Sequence, residues 1–275
     1  MPSNETRYVC NLSPAILAKA VAELNEPEDN TKRLAAIDEI KRGFLGNTEG
    51  LTLMKEDDIF LLRFLRARKF DMARSLALLK NYHKQRSSWK EVFDKVNNPS
   101  RLVKVFDAGC ICGSLGKAKD SSAIVLGRPG KLSGMSLTDF VAAVFLSVET
   151  LLDIEENQVY GITVIQDMYY LNFGFVRQIG PSLASRFLGL LQDCLPIRLK
   201  SVNVVNEPML FDIAFAIIGP FMKEKTKKRF TIHGQEYSGL HSIIDPQILP
   251  DNYNGSGNAI DVEGWKNTVL ERFKQ

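Results

Sequence analysis

The sequence predicts an α/β fold, a mostly parallel sheet with flanking helices preceded by a small all-helical subdomain. Two observations carry this. The region before Trp89 reads as helices throughout, and the region after Arg101 alternates short β-rich runs with helical runs. Strands separated by helices imply βαβ crossovers and parallel pairing. No internal repeat or low-complexity linker interrupts the pattern. Asn97-Asn98-Pro99-Ser100 marks the clearest boundary.

The elements follow in order. Ser13-Pro14 is a cap with proline at the first helical position, opening a helix over Ala15–Glu26. Leu34, Ile37, Ile40 and Phe44 recur at helical spacing within Thr31–Leu45. Glu56–Arg68 mixes Ile59, Phe60, Leu62, Phe64 and Leu65 with Arg63, Arg66 and Arg68. Asp71 caps Met72–Arg86. Ser122–Gly127 is the first strand, and Ser136 with Asp139 forms a capping box for a long helix over Leu137–Glu156. Gly161–Asp167 is the second strand and Ser182–Cys194 an amphipathic helix. Ser201–Asn206 is the third strand, Leu210–Met222 an apolar helix, and Arg229–His233 the fourth strand.

Composition narrows the function. With 275 residues, 45% hydrophobic and 24% charged, the chain is an ordinary globular protein. A net charge of +3 gives no support to a nucleic-acid partner, so any basic site must come from local clustering. Cys10, Cys110, Cys112 and Cys194 form no C-x-x-C pair and point to reduced thiols in a cytosolic protein. The start MPSNETRYVC lacks an apolar signal core, Pro2 is not a myristoylation glycine, and ERFKQ is not a prenylation box. No apolar run reaches the ~18 residues that span a bilayer. Membrane visits are therefore expected to be reversible.

Enzyme signatures are missing. G-x-S-x-G, the Walker A loop and H-E-x-x-H do not occur, and His83, His233 and His241 have no metal-ligand spacing. Gly109-Cys110-Ile111-Cys112-Gly113 is a glycine-rich turn without the rest of a phosphate loop. Asp167 and Asp193, at a strand end and a helix end, read as structural caps or turn residues. No cofactor is expected.

Two constellations stand out. Leu210–Met222 has one charge, Asp212, and almost no polar face; it is either a core helix or a lid over a hydrophobic cavity. Lys223, Lys225, Lys227, Lys228 and Arg229 follow it directly. Such a run is either a solvated face or part of an anion site. Arg198 and Lys200 flank Leu199, so an extended strand sends both to one face. Together these cations could grip a phosphorylated headgroup, Arg by bidentate hydrogen bonds and Lys as point charges.

DDIFLLRFLRARKFD (57–71), LQDCLPIRLKSVNVVNEP (191–208), FMKEKTKKRFTIHG (221–234) and ILPDNYNG (248–255) resemble the CRAL-TRIO family, and the likeness runs from Tyr8 to Trp265. The resemblance implies an N-terminal helical subdomain over 1–95, a lipid-binding domain over 96–260 and a tail helix over 261–275. Leu210–Met222 matches the family's mobile gate helix. The phosphoinositide-contacting positions fall on Arg66, Arg198, Lys200, Lys225 and Arg229, with Lys227 between the last two. Implied ligand-lining positions are Leu137, Val141, Ile162, Ile179, Leu190, Leu191, Leu195, Ile197, Leu199, Val202, Phe211, Ile218 and Met222. In the family's tocopherol-binding members two serines help hold the chromanol hydroxyl; Val144 and Val148 stand at those positions here. Gln166 replaces an aromatic residue and supplies a new polar contact if it faces inward. Asn254 replaces a glycine of the usual Tyr-Gly-Gly and tolerates left-handed geometry.

The resemblance implies a non-catalytic carrier of one hydrophobic molecule of tocopherol-like, retinoid or phospholipid class. It would sit in the cytoplasm and associate transiently with phosphoinositide-bearing endosomal or other organelle membranes. The alternative is a phosphoinositide-reading adaptor whose cavity transfers nothing.

Overall fold

A computed structural model of the chain describes residues 7–273. Pro2 and the last two residues of ERFKQ lie outside the described residues. The chain opens with α1 (Pro14–Leu24), α2 (Asn30–Leu45), α3 (Asp58–Ala67), α4 (Met72–Ser88), α5 (Lys90–Val96) and α6 (Val103–Asp107). Asp29, Asp57 and Asp71 each accept a backbone N–H of their helix's first turn, whereas the Ser13 hydroxyl makes no cap bond. Within α3, Phe60, Leu61, Leu62, Phe64 and Leu65 are all buried, so its arginines are drawn inside too.

The α/β part contains β1 (Ile111–Cys112), β2 (Ala123–Gly127), α7 (Leu137–Leu152), α8 (Glu155–Tyr160), β3 (Ile162–Asp167), α9 (Phe173–Val176) and α10 (Pro181–Gly189). It continues with β4 (Leu199–Val205), α11 (Leu210–Ile218), α12 (Glu224–Lys227), β5 (Phe230–Ile232), α13 (Ser238–Ile243) and α14 (Val262–Arg272). The strands lie in the order β1-β2-β3-β4-β5; β1 is antiparallel and the rest are parallel. The α/β expectation therefore holds. Among the described residues no helix is long and apolar enough to cross a membrane.

Several elements differ from the sequence reading. The Gly109–Gly113 segment holds the short antiparallel strand β1 rather than only a turn. The helix expected over Leu137–Glu156 stops at Leu152. Its terminal carbonyls are taken by side chains of the next helix: Asn157 donates to Leu151 at 2.7 Å and Gln158 to Leu152 at 2.9 Å. The Ser136–Asp139 capping box is present as expected. α10 passes into a π-helical turn, Leu190–Cys194. α11 ends at Ile218, before Met222, because Pro220 has no N–H to continue the hydrogen-bond ladder; a 3₁₀ turn follows. β4 begins two residues early, at Leu199.

The sheet divides two environments. On β3, Ile165 faces an apolar cluster with Ile124, Leu126, Val205, Leu240, Leu249 and Tyr253. Asp167, on that same side, accepts from the Tyr253 hydroxyl and the Asn206 amide, at 2.7 and 3.0 Å. It is a structural group, as its place at a strand end suggested. Asn254 is left-handed at φ 52°. Ile162, Val164 and Gln166 turn to the opposite side, toward α7, α10 and α11, and there the sheet floors a cavity.

Candidate functional site

The cavity holds about 940 Å³. Its floor is β2 to β5, one wall is α7, and α10 and α11 close it. Of the ligand-lining positions expected from sequence, Leu137, Val141, Val144, Val148, Ile162, Gln166 and Ile179 lie along it. So do Leu191, Ile197, Leu199, Val202, Phe211, Ile218 and Met222. Leu190 and Leu195 do not; both are packed into the core. The π-helical turn accounts for this, because the extra residue rotates Leu190 away while Leu191 reaches the cavity.

α11 is two-sided despite its composition. Phe211 and Ala214 are buried, and Phe215 stacks on Phe211 at 5.5 Å and meets Phe230 at 5.3 Å. On the other side Met209, at its N-terminal end, is 91% exposed and Ile213 is 52% exposed. The helix thus buries one apolar side and leaves apolar side chains on the other exposed. Gln192 fastens the far end: its Oε1 accepts from Lys223 N and Thr226 Oγ1, both at 2.8 Å, and its Nε2 donates to the Phe221 carbonyl at 3.1 Å. Lys223 also pairs with Asp193.

Arg198, Lys200, Lys225 and Arg229 border this same cavity. The β3–β4 register shifts so that Lys200 faces no partner residue, a bulge that re-aims its side chain. Both Arg198 and Lys200 crowd Gly161, where a Cβ would lie 2.3 Å from the Arg198 carbonyl and 3.2 Å from Lys200 Cγ. Gly161 has φ 92°, so glycine meets a conformational and a steric demand at once. Arg198 bonds the Val159 carbonyl and pairs with Glu23 at 3.2 Å; Lys200 pairs with Asp120 at 3.3 Å.

Arg66 corrects the sequence expectation. Its guanidinium is fully buried, bound twice by Glu26 at 2.7 and 2.8 Å, by Glu155 at 2.8 Å and by Gln158 at 3.0 Å. Burial alone would lower its pKa, but Glu26 and Glu155 outweigh that and raise it. Arg33 shares Glu26 at 2.8 Å. Arg66 therefore ties α3 to α8 and meets no headgroup in this arrangement. Lys227 also stands apart from the cavity lining and pairs with Glu224 at 3.1 Å.

The basic residues that α3 and α4 bring to the mouth are instead Arg68, Lys69 and Arg74. Lys69 and Phe70 are both left-handed, at φ 55° and 57°, which turns the chain sharply and leaves Lys69 exposed beside half-buried Arg68. Arg68 donates to the Gln192 carbonyl at 3.1 Å. Burial and then neighbouring cations hold Lys225 below the ordinary lysine pKa; those neighbours are Arg229, Arg74, Arg68 and Lys69. Arg229 is lowered by burial and by Arg198. The cluster is thus cationic on three sides, and an anion would relieve its mutual repulsion. The basic cluster Arg66, Arg68 and Lys69 was the sequence signal for this part of the mouth; which arginine faced outward was not.

The histidines are structural. His83 accepts from Met54 N at 3.1 Å, His233 meets Asn203 at 3.1 Å and His241 meets the Tyr253 carbonyl at 2.9 Å. No cluster that could hold a metal occurs among the described residues.

Residues 107–255 match the model of the CRAL/TRIO domain, and residues 21–81 that of the CRAL/TRIO N-terminal domain. The chain is similar to "Alpha-tocopherol transfer protein-like" of Homo sapiens, 38% identical over 273 residues, covering 98% of this chain and 78% of that protein. The Mus musculus protein of that name matches equally. "Clavesin-2" of Homo sapiens is 31% identical over 271 residues, covering 97% of this chain and 81% of that protein. With both domains in order and this identity over nearly the whole length, the chain belongs to the CRAL-TRIO family of lipid-binding and transfer proteins.

Proposed function

We propose that the chain is a non-catalytic intracellular carrier that encloses one hydrophobic molecule and exchanges it at phosphoinositide-containing membranes. The observation that carries this reading is a juxtaposition: an apolar cavity, a two-sided helix closing it and a cation cluster share one opening. The name of the tocopherol-transfer-like relatives supports it at the level of a hydrophobic cargo.

The energetics are consistent. Burying ~300 Å² of cargo surface contributes about 7 kcal/mol before ordering costs. At a membrane the cations bind phosphorylated headgroups at about 1 kcal/mol per basic residue. Met209 and Ile213 already face outward, so α11 exchanges water for lipid on one side and cavity for lipid on the other. That lowers the cost of opening, and the cargo leaves by partition without bond chemistry. Between visits the carrier is cytoplasmic, and endosomal or other organelle membranes are its docking sites. An adaptor needs no such cavity, and an apolar void left empty forfeits the packing of its lining.

The test uses donor vesicles made from the cell's own lipid extract and acceptors with or without phosphatidylinositol bisphosphate. We expect the protein to enrich one lipid class in the acceptors, faster when phosphoinositide is present. Acceptors indistinguishable from a protein-free control would overturn the proposal.

A further inference from the structure

Gln166 is placed where a polar side chain is hard to explain by folding alone. It sits on the central strand β3, paired with Gly127 on one side and Val204 on the other. Its side chain lies over Gly127, where a Cβ would come within 2.7 Å of its Oε1 and 3.0 Å of its Nε2. Glycine at 127 thus leaves the room the amide occupies. The amide borders the cavity. Among the described residues its side chain makes no hydrogen bond, although it offers two donors and an acceptor.

The other uncharged or acidic polar side chains along the cavity are accounted for. Asn81 donates to the Asp193 carbonyl, Asp193 pairs with Lys223, and Thr226 bonds Gln192. All of these belong to the mouth. α7 contributes only apolar groups, Val144 and Val148 included. Its hydroxyls are used elsewhere: Thr138 donates to Glu91, Ser147 accepts from Trp265, and Thr150 donates to the Leu146 carbonyl. Gln166 is four residues along β3 from Ile162, so it lies about 13 Å from the strand end that carries the basic pair. The nearest charges are engaged elsewhere: Arg128, next to the strand partner Gly127, donates to the Gly109 carbonyl at 2.8 Å, and Asp167, next in sequence, is bound by Tyr253.

We propose that Gln166 determines cargo specificity, and that the cargo is an uncharged lipid whose hydroxyl or carbonyl group hydrogen-bonds to the Gln166 amide at the inner end of the cavity. A neutral amide can satisfy an alcohol, aldehyde, ketone or ester. It cannot offset the desolvation of a carboxylate or phosphate, which the low-dielectric interior penalises severely. A phospholipid would leave its head at the basic mouth and present only chains to Gln166, leaving the amide unpaired. The cargo class is therefore an oxygenated neutral lipid, with the phosphoinositide acting at the mouth. This rests on the carrier reading.

The test compares three molecules with one branched C20 skeleton: phytol, phytane and phytanic acid. Each is titrated into the full chain and into Q166M, a substitution of similar length without hydrogen-bonding groups. Bound lipid is quantified by mass spectrometry after gel filtration, at neutral pH. We expect Q166M to weaken phytol binding roughly tenfold, to leave phytane binding unchanged or tighter, and to bring no gain for phytanic acid, the weakest ligand of wild type. Its thermal midpoint should not fall, since an unpaired amide is replaced by an apolar group. A phytol affinity unaltered in Q166M, or phytol and phytane affected alike, overturns the specificity role. Wild type that binds none of the three overturns this inference, and if it also takes up no lipid from a whole-cell extract the carrier reading falls with it.

Discussion

Reversing Lys225 and Arg229 together, K225E/R229E, is expected to lower binding to phosphatidylinositol-bisphosphate vesicles by about a hundredfold or more. Each basic residue near an anionic surface contributes about 1 kcal/mol, and each reversal adds repulsion of similar size. Both residues border the cavity mouth without a carboxylate partner among the described hydrogen bonds and ion pairs, so the fold does not lean on them. Arg198 is a less clean target, because Glu23 and the Val159 carbonyl also hold it. Lipid loading by K225E/R229E should stay near wild type, since the cavity floor is untouched. Vesicle sedimentation measures the first quantity and native mass spectrometry the second. Unchanged sedimentation would contradict the docking role of the mouth.

Arg66→Ala has the opposite signature. Removing one partner of a buried ion pair strands the other, at a cost of about 3–5 kcal/mol. Here Glu26 keeps Arg33, whereas Glu155 and Gln158 lose the group that joins α8 to α3. The thermal midpoint should drop by about 10 °C for a chain of this size. The protein that remains folded should sediment with phosphoinositide vesicles as wild type does. A variant of normal stability that no longer binds vesicles would show instead that Arg66 reaches a headgroup. R68E, two positions along, should reduce vesicle binding while the thermal midpoint stays close to wild type.

The contrast between Arg66 and Arg68 shows what the sequence reveals and what it withholds. Local chemistry was legible: the aspartate caps of α2 to α4, the Ser136–Asp139 box, the four parallel strands and the apolar run of α11 followed by cations all depend on neighbours in the chain. Facing was not. Three arginines within six residues, 63, 66 and 68, look alike in sequence, and packing against α7 and α8 draws Arg63 and Arg66 inside while Arg68 stays at the mouth. The same holds for Leu190 and Leu191, adjacent residues at the start of the π-helical turn, only the second of which reaches the cavity. β1 escaped notice because two residues between glycines carry no alternation to detect. The Gln192 fastening of the gate joins residues some thirty positions apart and left no local sign. A void cannot be read from periodicity, because a lining side chain and a packed one share the same pattern. Gln166 is the exception, since a polar residue inside the buried run ITVIQD already marks a place where packing is not the whole purpose.

Native mass spectrometry of the protein purified from its own cells addresses the cavity most directly, with Val202→Trp as the comparison. Val202 lies on the cavity floor, and an indole there takes up the space a cargo needs. Wild type should carry a single lipid per chain, of neutral oxygenated class, and V202W should carry none while remaining folded. Wild type free of any bound lipid, and unable to take one up from a whole-cell lipid extract, would contradict the account.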